Sequence, residues 1–387
     1  MPRQPGDDLR SIDAAGLRRG LRVLDSAQGA VVECAGRALH NFSSNDYLGL
    51  ACHPALIEAA TNAAGTYGFG SGASRLICGT MRPHVDLEDA LAAFKHAEAA
   101  LVFGSGFAAG SGAIPALTGS GDVVILDKLA HACLIDGARA SGATLRVFGH
   151  NRIDQLEDIL KSSREKSPDA RILVVTEAVF SMDGDLARLP EIVELKDQFG
   201  AMLLLDEAHA TGVLGPGGRG LAAAHGLASR IDVQMGTLSK ALGCHGGYIA
   251  GSRDLIDLLI NRARSFIFAT APPPPLAAAA LAALVLVESP EGDLRRAGLD
   301  ANRLMLARTL GLSAPSPSPI LPVIIGAEAA AVDLAVDLEA AGFLVPAIRF
   351  PTVPMGSARL RFTVTASHTR DAFDALAALA PALAAAR

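Results

Sequence analysis

Two stretches of this chain carry side chains suited to one kind of chemistry. In Asp206-Glu207-Ala208-His209, an aspartate follows the apolar run Met202–Leu205. A carboxylate at the end of a buried strand is costly unless a cation or hydrogen-bond donors face it. One use for it is to keep a pyridine-type ring nitrogen protonated, so that the ring withdraws electrons. His209, close behind, is placed to donate to an oxygen on such a ring. Further along, Gly236-Thr237-Leu238-Ser239-Lys240 sets a lysine among hydroxyls and small residues at another strand end. Partial burial lowers a lysine pKa and favours the neutral amine that forms a Schiff base with an aldehyde.

Two further stretches add to this set. Gly104-Ser105-Gly106-Phe107-Ala108-Ala109-Gly110 follows the strand-like Leu101–Phe103 and opens a helix, whose free N–H groups make an anion site. With the Thr237 hydroxyl this turn would seat a phosphate. His131, beyond the strand-like Val123–Leu126, is positioned to lie on the face of a bound ring. Glu177 and Ser181 follow Ile172–Thr176 in the same way. Taken singly, each residue has a plainer reading: a structural histidine at 131, a turn serine at 181, a helix cap at 206, a solvated lysine at 240.

The same glycines also satisfy the GxGxxG/A dinucleotide fingerprint, with Asp127 at the end of the next strand. An NAD-dependent oxidoreductase is therefore the competing enzyme reading, but it leaves Asp206, His209 and Lys240 without a role. Asp206–His209 also spells a helicase DEAH box. That box needs a GxxxxGK[ST] loop, and the chain contains no Gly-Lys pair. A non-catalytic interaction protein fits poorly with so many polar groups at strand ends.

These residues require a scaffold that brings strand ends together. Short apolar runs at Leu101–Phe103, Val123–Leu126, Leu145–Phe148, Ile172–Thr176, Met202–Leu205 and Val233–Met235 alternate with helical patterns such as Val85–Ala97 and Ile192–Phe199. Near-continuous apolar strands between helices predict an open, doubly wound, mainly parallel α/β sheet with both faces covered. Ligands bind such sheets beyond the carboxyl ends of the strands, where the polar residues above lie. Residues 1–45 read as an N-terminal arm and 46–288 as the large α/β domain. Residues 289–387 read as a small α+β domain, with a helix at Asp300–Leu310, a Ser/Pro linker at Ser313–Pro319 and strands at Val323–Ile325, Leu344–Ile348 and Leu360–Val364.

Composition removes several alternatives. Half of the 387 residues are apolar and the formal charge is -6, with no long Lys/Arg run, so a nucleic-acid backbone is not an expected partner. The five scattered cysteines form no CxxC pair, which fits a reducing compartment and offers no metal site. The opening MPRQPGDDLR lacks the apolar core of a secretory signal. The longest apolar run, Leu276–Val287, is too short to span a bilayer. A cytoplasmic protein without membrane partners is the expectation.

Six ordered segments then carry a resemblance from about Leu17 to the C-terminus: Asn41–Leu50, Gly70–Leu76, Thr176–Gly184, Asp206–Gly212, Thr237–Gly243 and Pro351–Arg361. In these the chain resembles the α-oxoamine synthases, fold-type I transferases dependent on pyridoxal 5′-phosphate (PLP) that condense an amino acid with an acyl thioester. The resemblance implies PLP as a Schiff base on Lys240, Asp206 against its ring nitrogen, His209 donating to its phenolic oxygen and His131 stacked on the ring. It further implies cofactor contacts at Gly106, Phe107, Ser181 and Thr237, and substrate contacts at Asn45, His131, Thr352 and Arg361. A guanidinium fork suits the amino acid carboxylate that Arg361 would grip. An N-terminal arginine, chosen as Arg19 over Arg18 and Arg22, completes the substrate set. Ala73 stands where many relatives have glycine, and Cys244-His245 follows the lysine segment; both departures lie outside the catalytic set. A homodimer is implied as well, with Ser71–Arg75 as the segment expected to cross over. The amino acid (alanine, glycine or serine) and the acyl carrier stay open.

Overall fold

The computed structural model of the chain describes residues 4–313 and 315–386. Residues 1–3, 314 and 387 belong to the expected arm, linker and small domain and lie outside the described residues. The strands are β1 (Val31–Cys34), β2 (Arg37–Asn41), β3 (Ala99–Phe103), β4 (Val123–Asp127), β5 (Thr144–Phe148), β6 (Ile172–Glu177) and β7 (Met202–Asp206). They continue with β8 (Val233–Thr237), β9 (Gly247–Gly251), β10 (Ile320–Gly326), β11 (Phe343–Leu344), β12 (Ala347–Ile348) and β13 (Ala358–Thr363).

Seven of them form the main sheet in the order β3-β9-β8-β7-β6-β4-β5. All run the same way except β9, which is antiparallel to both neighbours. Period-two alternation explains why these strands read as unbroken apolar runs. Val123, Ile125, Ile172, Val174, Leu203 and Leu205 point into one core. Val124, Leu126, Leu173, Val175 and Leu204 point into a second core on the opposite face. Helices Gly106–Leu117, Ala132–Ala140 and Arg253–Arg262 cover that second face. Helices Pro54–Tyr67, Arg82–Phe94, Ile153–Lys166, Leu189–Gln198 and Pro274–Glu288 cover the first. Within the described residues no single helix is long and apolar enough to cross a membrane.

Three features differ from the sequence reading. Strand β9 escaped it because Gly-Tyr-Ile-Ala-Gly is framed by glycines and breaks the strand–helix rhythm. The N-terminal segment is more than an arm. It carries the hairpin β1–β2, and β2 pairs in parallel with β11 from the far end of the chain. The single strand expected over Leu344–Ile348 is two, because Pro346 has no N–H to continue a ladder. β11 joins β2, whereas β12 joins β13 in the small antiparallel sheet β10-β13-β12.

Gly247, the first residue of β9, shows how closely the site is built. A Cβ there would come within 2.6 Å of the Gly106 backbone. Only a glycine lets β9 pass beneath the turn that opens helix Gly106–Leu117.

Candidate active site

The carboxyl ends of β3, β4, β6, β7 and β8 bring the expected residues to one edge of the sheet. Asp206 closes β7, buried at 4% exposure, and its Oδ1 accepts the Ala208 N–H at 2.8 Å. Burial raises its pKa, opposed by the Lys240 ammonium and by that N–H. Lys240 follows β8, and among the described residues no hydrogen bond or ion pair holds its Nζ. Burial pulls its pKa down, against the charges of Asp206 and Glu177. An unengaged amine with a depressed pKa has the chemistry that a Schiff-base nucleophile requires.

His209 is buried, and its Nδ1 lies 2.6 Å from the Tyr47 hydroxyl. Desolvation, and then the charges of Lys240 and Arg361, push its pKa well below the usual histidine value, so the ring is neutral. With Nδ1 engaged by Tyr47, Nε2 is the nitrogen left for a ligand. Tyr47 is itself fully buried, and its pKa is raised to about 12. Its hydroxyl also lies 3.0 Å from Asn45 Oδ1.

At the anion end, Ser105 caps helix Gly106–Leu117 by accepting the Ala108 N–H at 3.0 Å. The N–H groups of Gly106 and Phe107 are left at the open helix end. A Cβ on Gly106 would lie 3.5 Å from Thr237 Oγ1, so the turn and the hydroxyl border the same space. Thr237 Oγ1 also bonds Ser239 Oγ at 2.7 Å and the Gly246 carbonyl at 2.8 Å. His131 caps helix Ala132–Ala140: its Nδ1 accepts the Cys133 N–H at 3.2 Å. The proton of the neutral ring therefore sits on Nε2. Desolvation within the cleft lowers its pKa, opposed by Asp206 and reinforced by Lys240. Phe107 meets the His131 ring edge-on at 6.5 Å.

Strand β13 supplies the far wall. Arg359 and Arg361 are two apart and share a face, and both reach the loop after β6. Arg361 Nε donates to the Ser181 carbonyl at 2.6 Å, and Arg359 pairs with Asp183 at 2.5 Å. The Arg361 fork meets Asn45 Oδ1 at 3.2 and 3.3 Å, which places Asn45, Tyr47 and His209 in one chain of contacts. Of the three N-terminal arginines, Arg18 pairs with Asp13 and Arg22 with Glu339. Arg19 donates to the Phe350 carbonyl, at 3.2 Å, in the exposed loop that carries Thr352. Arg19 thus reaches the loop of Thr352, and among the described residues no hydrogen bond joins either residue to Arg361. Ser71 and Arg75 are engaged within the chain, Ser71 with the Pro272 carbonyl and Arg75 with Glu88.

The sequence reading gave no role to three participants: Tyr47, Arg359 and Glu177. Tyr47 lies inside a segment singled out above, and Glu177 was noted only as a strand-end residue. Arg359 likewise lies inside a singled-out segment, Pro351–Arg361, where only Arg361 and Thr352 were given roles.

The dinucleotide reading fails on geometry. Asp127 should be free for a ribose, yet its carboxylate is fully buried and accepts from Leu129 N–H, Asn151 N–H and His150. β3 also stands at the sheet edge beside antiparallel β9, not within a parallel βαβ unit.

His150 bridges Asp127 at 3.0 Å and Asp185 at 2.7 Å, tying the loop of Ser181 to the end of β4. Burial disfavours its charge, but the hydrogen bonds and charges of the two aspartates prevail and push its pKa up to about 10. A folded pKa above the unfolded value of 6.5 gives stability that is complete below pH 6.5 and is lost as pH rises through 10. His150→Gln should destabilise the protein by about 1–2 kcal/mol at pH 6, with Asp185 partly screened by solvent. The gap should shrink towards pH 10. Urea unfolding at several pH values checks this, and a deficit independent of pH would contradict it.

The fold and the strand-end site define a fold-type I PLP transferase. The chain belongs to the aminotransferase class I and II family, matched over residues 37–378, and within it to the α-oxoamine synthases. It is 50% identical over 381 residues to the 8-amino-7-oxononanoate synthase of Anaeromyxobacter dehalogenans, covering 98% of this chain and 95% of the relative. Among solved structures, the serine palmitoyltransferase of S. paucimobilis with bound PLP and myriocin superposes with a TM-score of 0.91 at 29% identity, covering 98% and 96% of the two chains. The 8-amino-7-oxononanoate synthase of Francisella tularensis superposes at 0.74 with 29% identity, over 89% and 98%.

Proposed function

We propose that this chain condenses L-alanine with pimeloyl-CoA, or with the pimeloyl thioester of an acyl carrier protein. The products are 8-amino-7-oxononanoate, CO2 and the free carrier thiol, a step in biotin biosynthesis. The observation that carries the reading is the meeting of Lys240, Asp206 and His209 at adjacent strand ends, in a chain half identical to named 8-amino-7-oxononanoate synthases along nearly its whole length.

PLP fits the residues present. An unengaged amine, a buried carboxylate, a histidine with a free nitrogen and an open helix N-terminus beside a hydroxyl match its aldehyde, ring nitrogen, phenolic oxygen and phosphate in turn. Lys240, Asp206, His209, Thr237, Ser181, Gly106 and Phe107 would hold it, with His131 against the ring face. When bound, the cofactor supplies an electron sink for charge developing at the α-carbon of the amino acid.

The chain's own groups do the rest. Arg361 presents a two-pronged cation to the alanine carboxylate, and Asn45 Oδ1 holds that fork in place until substrate arrives. Lys240 Nζ, whose pKa burial pulls down, takes the α-proton as general base. Asp206 remains negative opposite the ring nitrogen. His131 carries its proton on Nε2 and can donate to the acyl carbonyl oxygen as negative charge gathers there. Arg19 and Thr352 border the acyl side.

A homodimer in the cytoplasm is the form we infer. Exposed Phe69, Leu76, Ile77 and Phe268 gather around the Ser74–Thr270 bridge, next to the segment expected to cross between subunits. Such a patch suits a second copy, which sedimentation would reveal.

The closeness of the serine palmitoyltransferase superposition favours, as second reading, an α-oxoamine synthase with another amino acid and acyl group, such as a glycine C-acetyltransferase. A thiol-release assay crossing alanine, glycine and serine with several acyl thioesters separates the two. Preference for alanine with pimeloyl thioester is expected. Preference for glycine or serine with another acyl chain would overturn the assignment.

A further inference from the structure

Glu177 is the buried carboxylate to which the scheme above gives no task. It closes β6, and in the parallel ladder its Cα pairs with that of Asp206 at the end of β7. Residues paired in register on adjacent parallel strands send their side chains to the same face. Two carboxyl groups therefore stand side by side, at 2% and 4% exposure. The backbone N–H of His131 acts on the Glu177 carboxyl as a donor, so this side chain borders Asp206 and the loop that carries His131. Its Oε1 is enclosed and has no hydrogen-bond partner among the described residues.

The groups that face it decide its charge. β4 and the loop after it present Asp127, His131 and Cys133; β7 presents Asp206; the turn after β8 presents Lys240, on which Arg361 of β13 acts in turn. Asp127 is committed to His150 and Arg361 to Asn45 and the Ser181 carbonyl. Lys240 is the amine that bears on both carboxyls, and it surrenders its charge when it acts as nucleophile or base. Two adjacent buried carboxyls with so little compensating charge share a proton rather than both ionise. Each carboxyl has one backbone donor, Ala208 for Asp206 and His131 for Glu177, but only Glu177 has an enclosed oxygen, Oε1, without a partner among the described residues, so the proton belongs on Glu177. Protonation also turns a partnerless acceptor into a donor.

We propose that Glu177 is a positioning residue that works as a neutral acid beside Asp206, keeping its neighbour the carrier of the negative charge and steadying the His131 loop. The proposal rests on the PLP assignment above. Full burial and the position of Asp206 agree with the direction in which the Glu177 pKa moves, well above an ordinary glutamate.

The test compares cofactor-loaded wild type, Glu177→Gln and Glu177→Leu by visible absorbance across pH and by PLP dissociation constant. Glutamine is neutral and can donate, so its titration midpoint should stay within about 0.3 pH units of wild type. Leucine is neutral but cannot donate, and should weaken PLP binding roughly 3–10-fold. A glutamine midpoint lowered by about one unit or more would mean that a negative charge had been removed, and would overturn the proposal. Leucine behaving as wild type would overturn it too. The glutamine variant keeps the shape of the side chain, so its titration decides the matter whether or not the leucine variant folds. Failure of the PLP assignment looks different: the wild type itself would then show no visible band.

Discussion

Lys240→Ala is expected to leave a folded protein with turnover lowered on the order of 10³-fold or more and no visible cofactor band. Both halves follow from the same observation. Lys240 Nζ forms no hydrogen bond or ion pair among the described residues, so its removal should cost little stability, within about 1 kcal/mol. What is lost is an amine whose pKa burial depresses, and with it the proposed attachment point and general base. The check is steady-state thiol release together with the absorbance spectrum of the purified variant. Full activity, or an unchanged band, would remove Lys240 from the site.

Asp206→Asn should carry the next largest effect, lowering turnover on the order of 10²–10³-fold, or roughly 3–4 kcal/mol of transition-state stabilisation. Asparagine keeps an oxygen for the Ala208 N–H and nearly the same volume, so the strand end should survive. It cannot keep a ring nitrogen protonated. There is a second, signed consequence. The Asp206 charge raises the Lys240 pKa against the larger effect of burial, so removing it should lower that pKa further. The pH at which Lys240 becomes neutral should therefore fall in the variant. Kinetics report the first effect, and the pH dependence of PLP capture by the cofactor-free protein reports the second through its midpoint. Near-wild-type turnover with an unmoved midpoint would contradict the role given to Asp206.

Local chemistry was the part most legible in the sequence. Asp206, His209, Thr237 and Lys240 lie just beyond apolar strands, and a parallel sheet must gather such ends on one edge. The second wall could not be read so directly, because its contacts join distant segments. Arg361 reaches Asn45, 316 residues away, and Arg359 reaches Asp183, 176 residues away. No spacing encodes such pairs, and only the resemblance pointed to Arg361 and Asn45. Glu177 was hidden for another reason. Its importance arises from the β6–β7 register, which side-by-side placement reveals and a linear string does not. The missed strand β9 follows the same logic, since its glycines serve close packing against the Gly106 turn rather than strand propensity.

The account stands most directly on covalent attachment at Lys240. Borohydride reduction of the PLP-loaded protein, followed by proteolysis and mass spectrometry, reads it without any assumption about substrates. The account predicts one pyridoxyl adduct per chain, on the peptide that contains Lys240. An adduct on a different lysine, or none on a protein saturated with PLP, would contradict it.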